Sequence, residues 1–193
     1  TVGVGATGTT ASGSFFVVTS ALETQNVTIN AVAETGYTFV GWFTDSALSA
    51  SASTLATYTF AMTAGHKDFY AKFTVNKYTI IFNSNKPAGA TNNVTGSTAS
   101  QPMTYDIAAT LNANGFELVG WTFANWNTAA AGTGTKYDNE QEVSKLNATD
   151  GGVVNLYAQW TANSYTIIFN SNKPAGASTT MAGSMANLPM TYD

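Results

Sequence analysis

An internal repeat constrains this chain more than any other feature. Residues 78–106 recur without a gap as residues 165–193, and 21 of the 29 positions are identical. Both copies open YTIIFNSNKPAGA and close PMTYD. A fainter copy lies upstream. There Phe69-Tyr70-Ala71 answers Leu156-Tyr157-Ala158 at the same spacing of 87, and Gly36-Tyr37-Thr38-Phe39 answers Gly120-Trp121-Thr122-Phe123 at a spacing of 84. A near-exact period of this length marks a supersecondary unit repeated in tandem, each unit packing on the next. It divides the chain into a divergent module at 1–74, a complete module at 75–161 and the first third of a further repeat at 162–193. The connecting stretches, 74–77 and 161–164, are only a few residues long. Neighbouring modules are therefore expected to press together as an elongated rod.

Within each module the hydrophobic period is that of strands. Alternation puts Tyr78, Ile80 and Phe82 on one face and Thr79, Ile81 and Asn83 on the other. Leu156, Ala158 and Trp160 alternate against Tyr157 and Gln159, and Val27, Ile29, Ala31 and Ala33 form a further apolar face. The run NSNKPAG, from Asn83 and again from Asn170, signals a loop. Residues 138–146 have room for a helical turn or two, but are polar enough to be an exposed turn instead. The expected fold class is mostly β with little helix. In a regular strand Trp126 would face opposite to Trp121 and Phe123, so the strand must bulge or its second face must be covered.

Composition removes several function classes. Charged residues are 9% of the chain, all seven basic residues are lysines, and the formal net charge is −4. A nucleic-acid phosphate backbone requires clustered Lys and Arg. Here the lysines stand singly between positions 67 and 173, so no nucleic-acid partner is expected. No apolar run is long enough to span a bilayer as a helix, so no membrane insertion is expected. Cysteine is absent, so stability must come from sheet pairing and aromatic burial rather than disulfides.

Three motifs in order now carry a family resemblance. A strand with Tyr78, Ile80 and Phe82, then a Gly-aromatic-Thr-Phe core with Trp121, Phe123 and Trp126, then a closing strand with Leu156 and Trp160, resemble the Listeria–Bacteroides repeat, also called the internalin B-repeat. Module one, with Tyr37, Phe39, Trp42 and residues 69–73, is similar to the divergent form of that repeat. Trp121 for the usual Tyr and Asn125 for the second Gly depart from the pattern. The resemblance implies a small β-grasp-like module, found in tandem outside the cell on bacterial surface proteins. It implies a spacer, stalk or adhesive element, with no catalytic residue and no cofactor to carry over. The eleven aromatic and aliphatic residues named with these motifs are the expected structural core.

Candidate chemistry is thin beside that framework. Gly3, Gly5 and Gly8 match GxGxxG, and Glu23 lies where a ribose-binding acid would. A dinucleotide site needs a helix after the glycines, and here they lead instead into a polar turn and a strand. His66 is the single histidine and sits in a polar stretch, without the partners of a catalytic triad or a zinc site. Asp138, Glu140, Glu142 and Asp150 offer oxygens to calcium, but lack EF-hand spacing. Trp42, Trp121, Trp126 and Trp160 invite comparison with a sugar-stacking platform; their fixed places in the module favour core packing. A Lys–Asn cross-link would need a buried lysine, and these lysines fall mostly at solvent-side or loop positions. Asn26, Asn93 and Asn147 head N-x-S/T sequons.

The repeats support two functional expectations. One is a stalk or adhesive segment of a bacterial surface protein. The other is a self-assembling filament or surface layer, in which Tyr165, Ile167 and Phe169 of the incomplete repeat offer a strand edge to another chain. The expected partners are the neighbouring repeats of the same chain, other copies of itself, and a host surface protein or glycan.

Overall fold

Alternation becomes strand almost wherever the sequence shows it. The computed structural model describes residues 26–62 and 67–193 in full, and residues 2–5 and 13–15 by their backbone. In the strand Asn26–Ala33, Val27, Ile29 and Ala31 are buried while Asn26, Thr28, Asn30 and Val32 are exposed. No described residue is helical, so the protein is mostly β. The chain forms two compact units: Thr1–Ile80, Ser100–Leu111 and Glu142–Val154 in the first, Ile81–Ala99, Asn112–Gln141 and Asn155–Asp193 in the second.

In the first unit, Asn26–Ala33 pairs antiparallel with Gly13–Phe15 on one edge and Thr57–Ala61 on the other. A second sheet sets Tyr37–Phe43 between Ser51–Ser53 and Lys67–Val75, with Val2–Gly5 parallel to Lys67–Val75. Val27, Ile29, Ala31, Trp42, Phe60, Met62, Phe69 and Ala71 share one core, because the pleat sends alternate residues inward. Rings dominate it: Phe60 and Phe69 lie 4.5 Å apart, and Phe39 meets Trp42 edge-on at 5.7 Å. In the same unit Tyr78 stands opposite Met103 and Ile80 opposite Gln101, all four buried.

The second unit is organised around Trp121–Asn127, antiparallel to both Lys136–Tyr137 and the strand Gly152–Ala162. Phe82, Leu118, Trp126, Leu156 and Ala158 are buried there. Residues 164–191 repeat the register of residues 77–104. Ser164–Ile167 pairs with Leu188–Thr191 so that Tyr165 faces Met190, as Tyr78 faces Met103.

The conflict of faces at Trp126 is resolved by a bulge. The ladder slips between Phe123 and Asn125, so Phe123 stands opposite Trp160 and Trp126 opposite Ala158. One extra residue brings positions three apart onto the same face, and the Phe123 and Trp126 rings meet at 5.0 Å. The same slip between Phe39 and Gly41 puts Phe39 opposite Phe73 and Trp42 opposite Ala71.

Residues 138–146 hold a turn and the short strand Glu142–Val143 where the sequence left room for a helix. Glu140 and Lys145 adopt left-handed backbone angles, φ 56° and 59°. That conformation is unfavourable for residues with side chains, and a right-handed helix cannot pass through it.

Candidate functional site

The four tryptophans divide by depth. Trp42 and Trp126 are fully buried, so neither offers a ring face to a sugar. Trp121 and Trp160 are half-buried, and the Trp160 indole N–H donates to the Ser84 carbonyl at 2.9 Å. Tyr37, Phe39 and Phe123 are also half-buried, while Tyr78, Ile80, Phe82 and Leu156 are buried. One stretch of sequence meets two fates. Tyr78, Ile80 and Phe82 are 2%, 0% and 6% exposed, whereas Tyr165, Ile167 and Phe169 are 49%, 38% and 40% exposed. The strand carrying the latter ends at Ile167, so Phe169 lies beyond it.

Reactive groups do not converge among the described residues. No group of three or more His, Asp or Glu is placed to hold a metal ion there. Asp150 accepts the Lys77 backbone N–H at 2.9 Å, and Asp138 pairs with Lys136 at 3.1 Å on the surface. Gly3 and Gly5 lie in the strand Val2–Gly5; Gly8, Glu23 and His66 fall outside the described residues. No described lysine is buried, so the requirement for a Lys–Asn cross-link is unmet. Lys86 instead donates to the exposed Asn93 at 3.2 Å. Asn26 is exposed, and the Asn147 side chain is engaged by Val153 and Thr149. No described helix is long and apolar enough to cross a membrane, which leaves strands unaddressed.

Carboxylates act here as loop clamps. Asp45 accepts the Ala50 N–H at 2.6 Å, the Ser49 N–H at 3.1 Å and the Ser49 hydroxyl at 3.1 Å. The Ala50 amide, above all, holds its pKa below the ordinary carboxylate value. A depressed carboxylate gives stability that is present above the unfolded value of about 3.9 and lost as pH falls through the lower folded value. The loop at 44–50 is therefore expected to loosen in acid below roughly pH 4. NMR exchange of the Ser49 and Ala50 amides reads this directly, and amides equally protected down to about pH 2 would refute the clamp.

Comparison with known families identifies the repeats. Residues 2–77 match the divergent InlB B-repeat domain and residues 78–159 match the Listeria-Bacteroides repeat domain. A protein of Evansella cellulosilytica, named provisionally as a Gly-rich membrane protein, is 32% identical over 73% of this chain and 16% of its own length. A second from the same organism, named provisionally as a membrane protein, is 28% identical over 71% of the chain and 18% of its own length. The chain thus spans less than a fifth of these curated relatives. No solved structure matches it.

Proposed function

We propose that this chain, which belongs to the divergent InlB B-repeat family over residues 2–77 and to the Listeria-Bacteroides repeat family over residues 78–159, is a non-catalytic spacer. As part of a surface-associated repeat protein, it acts as a stalk or adhesive element outside a bacterial cell. The observation that carries this reading is the core built twice on one plan. Phe39, a bulge and Trp42 in one repeat correspond to Phe123, a bulge and Trp126 in the next. Selection for a reaction would mark one site, whereas a spacer needs each repeat to fold alike.

A second reading, self-assembly into a filament or layer, draws on the exposed Tyr165, Ile167 and Phe169. Sedimentation velocity with small-angle scattering, on this chain and on a version ending at Thr161, separates the two. An extended monomer in both cases is the expected result. A compact particle would count against the spacer, and assembly that disappears on truncation would favour the filament.

A further inference from the structure

The short connecting stretches do more than join repeats. In the first unit the linker residue Asn76 donates its backbone N–H to the Gly36 carbonyl at 2.8 Å and accepts the Tyr105 N–H at 2.9 Å. Its side-chain oxygen accepts the Thr38 hydroxyl at 2.6 Å. Gly36 has φ +84°, and a Cβ there would fall inside the Tyr105 ring. The absent side chain is the seat on which that ring rests. Tyr37 donates its phenol hydroxyl to Asp106, and Lys145 pairs with the same carboxylate at 3.0 Å.

Within itself, the second unit contains the same arrangement. Asn163 donates to the Gly120 carbonyl at 2.8 Å and accepts the Tyr192 N–H at 2.8 Å. Its side-chain oxygen accepts the Thr122 hydroxyl at 2.6 Å. Gly120 has φ +81°, and a Cβ there would fall inside the Tyr192 ring. Trp121 replaces Tyr37 and reaches the Asp193 carboxylate through its indole N–H at 3.4 Å. Thr91 supplies two further bonds to that carboxylate, from its N–H at 3.1 Å and its hydroxyl at 2.9 Å.

We infer that the Gly-aromatic-Thr turn and the linker asparagine of each repeat form a docking surface, and that its partner is the Tyr-Asp tip of the following repeat. The glycine admits the tyrosine ring, the asparagine fixes the tip's backbone, and the aromatic residue reads the aspartate. Donor and acceptor surfaces differ, so the contact is head-to-tail and extends to any number of repeats. A divergent repeat and a regular one present the same surface, which lets both kinds stand in one array. The inference rests on the tandem-spacer reading and names the partner at each joint.

Hydrogen exchange by NMR on the full chain tests it. In Tyr105→Ala the Asn76 amide is expected to exchange on the order of tenfold faster or more, with the Asn163 amide unchanged. Tyr192→Ala should reverse the pattern, and phenylalanine at either position should restore protection. Gly36→Ala, which crowds the seat from the other side, should match Tyr105→Ala. Unchanged exchange at Asn76 would overturn the docking surface. So would equal loss of protection along the Tyr37–Phe43 ladder, since the ring would then merely support its neighbour's core. Sedimentation and scattering are independent of this test. An extended chain with unaffected amides removes only the joint, and a compact chain with the expected amide pattern removes only the spacer.

Discussion

Replacing Trp42 by alanine is expected to destabilise the first unit by about 3–5 kcal/mol, the range for emptying a large aromatic from a packed core. Trp42 is 0% exposed and lies against Phe39 in a core that includes Val27, Ile29, Phe60 and Phe69. Removing it costs the transfer energy of the ring and leaves a cavity that two sheets cannot close. A gentler pair of substitutions separates burial from hydrogen bonding. The Trp42 indole N–H donates to the Ala56 carbonyl at 3.0 Å, whereas the Trp126 indole N–H has no partner among the described residues. Trp42→Phe gives up a bond, whereas Trp126→Phe gives up none and removes an unsatisfied buried donor. The first should therefore cost about 1–2 kcal/mol more than the second. Urea titrations followed by circular dichroism measure both. Equal costs would refute the hydrogen-bond argument, and a near-neutral Trp42→Ala would refute the core assignment itself.

The parts of this fold that were legible in the sequence are those set by the period of apolar residues. Val27, Ile29 and Ala31 alternate in the sequence and alternate in burial. The conflict of faces at Phe123 and Trp126 was legible, but the sequence left a bulge and a covered second face equally open, and the ladder slip decides for the bulge. Less legible was anything held by backbone angle or by hydrogen bonds to main chain. Nothing in the composition of residues 138–146 forbids a helical turn, and it is the left-handed Glu140 and Lys145 that do. The linkers, polar and short, looked like spacing alone. Their asparagines recur 87 residues apart, as do Tyr105 and Tyr192, and that shared spacing was the available signal. It carried no direction, because a single sequence does not tell which polar residues face another repeat. The pairing of Tyr165 with Met190 follows from the repeat only once the structure supplies the register of Tyr78 with Met103.

Asn76→Leu is expected to weaken the first unit by about 2–4 kcal/mol, whereas Asn163→Leu should cost under about 1 kcal/mol. Leucine nearly matches asparagine in shape, so the substitution removes polarity with little change in volume. At position 76 the side chain is 6% exposed, and both ends of its amide are used. The oxygen accepts from Thr38, and the nitrogen donates to the Ala148 carbonyl at 2.7 Å. Leucine would leave that carbonyl without its partner where water reaches poorly, and an unmet buried group costs about 1–3 kcal/mol. Asn163 makes the equivalent bond to Thr122 but is exposed, so water can replace what leucine removes. The cover over Asn76 comes from the second repeat itself, through Ala148 and through Asp150, which caps the neighbouring Lys77 N–H at 2.9 Å. The difference between the two substitutions measures what Ala148 and Asp150 add at the first linker. Urea titration of each variant gives the number. Equal losses at both positions would refute the burial argument, and negligible losses at both would mean that the backbone bonds to Gly36 and Gly120 carry the joint without the side-chain amides.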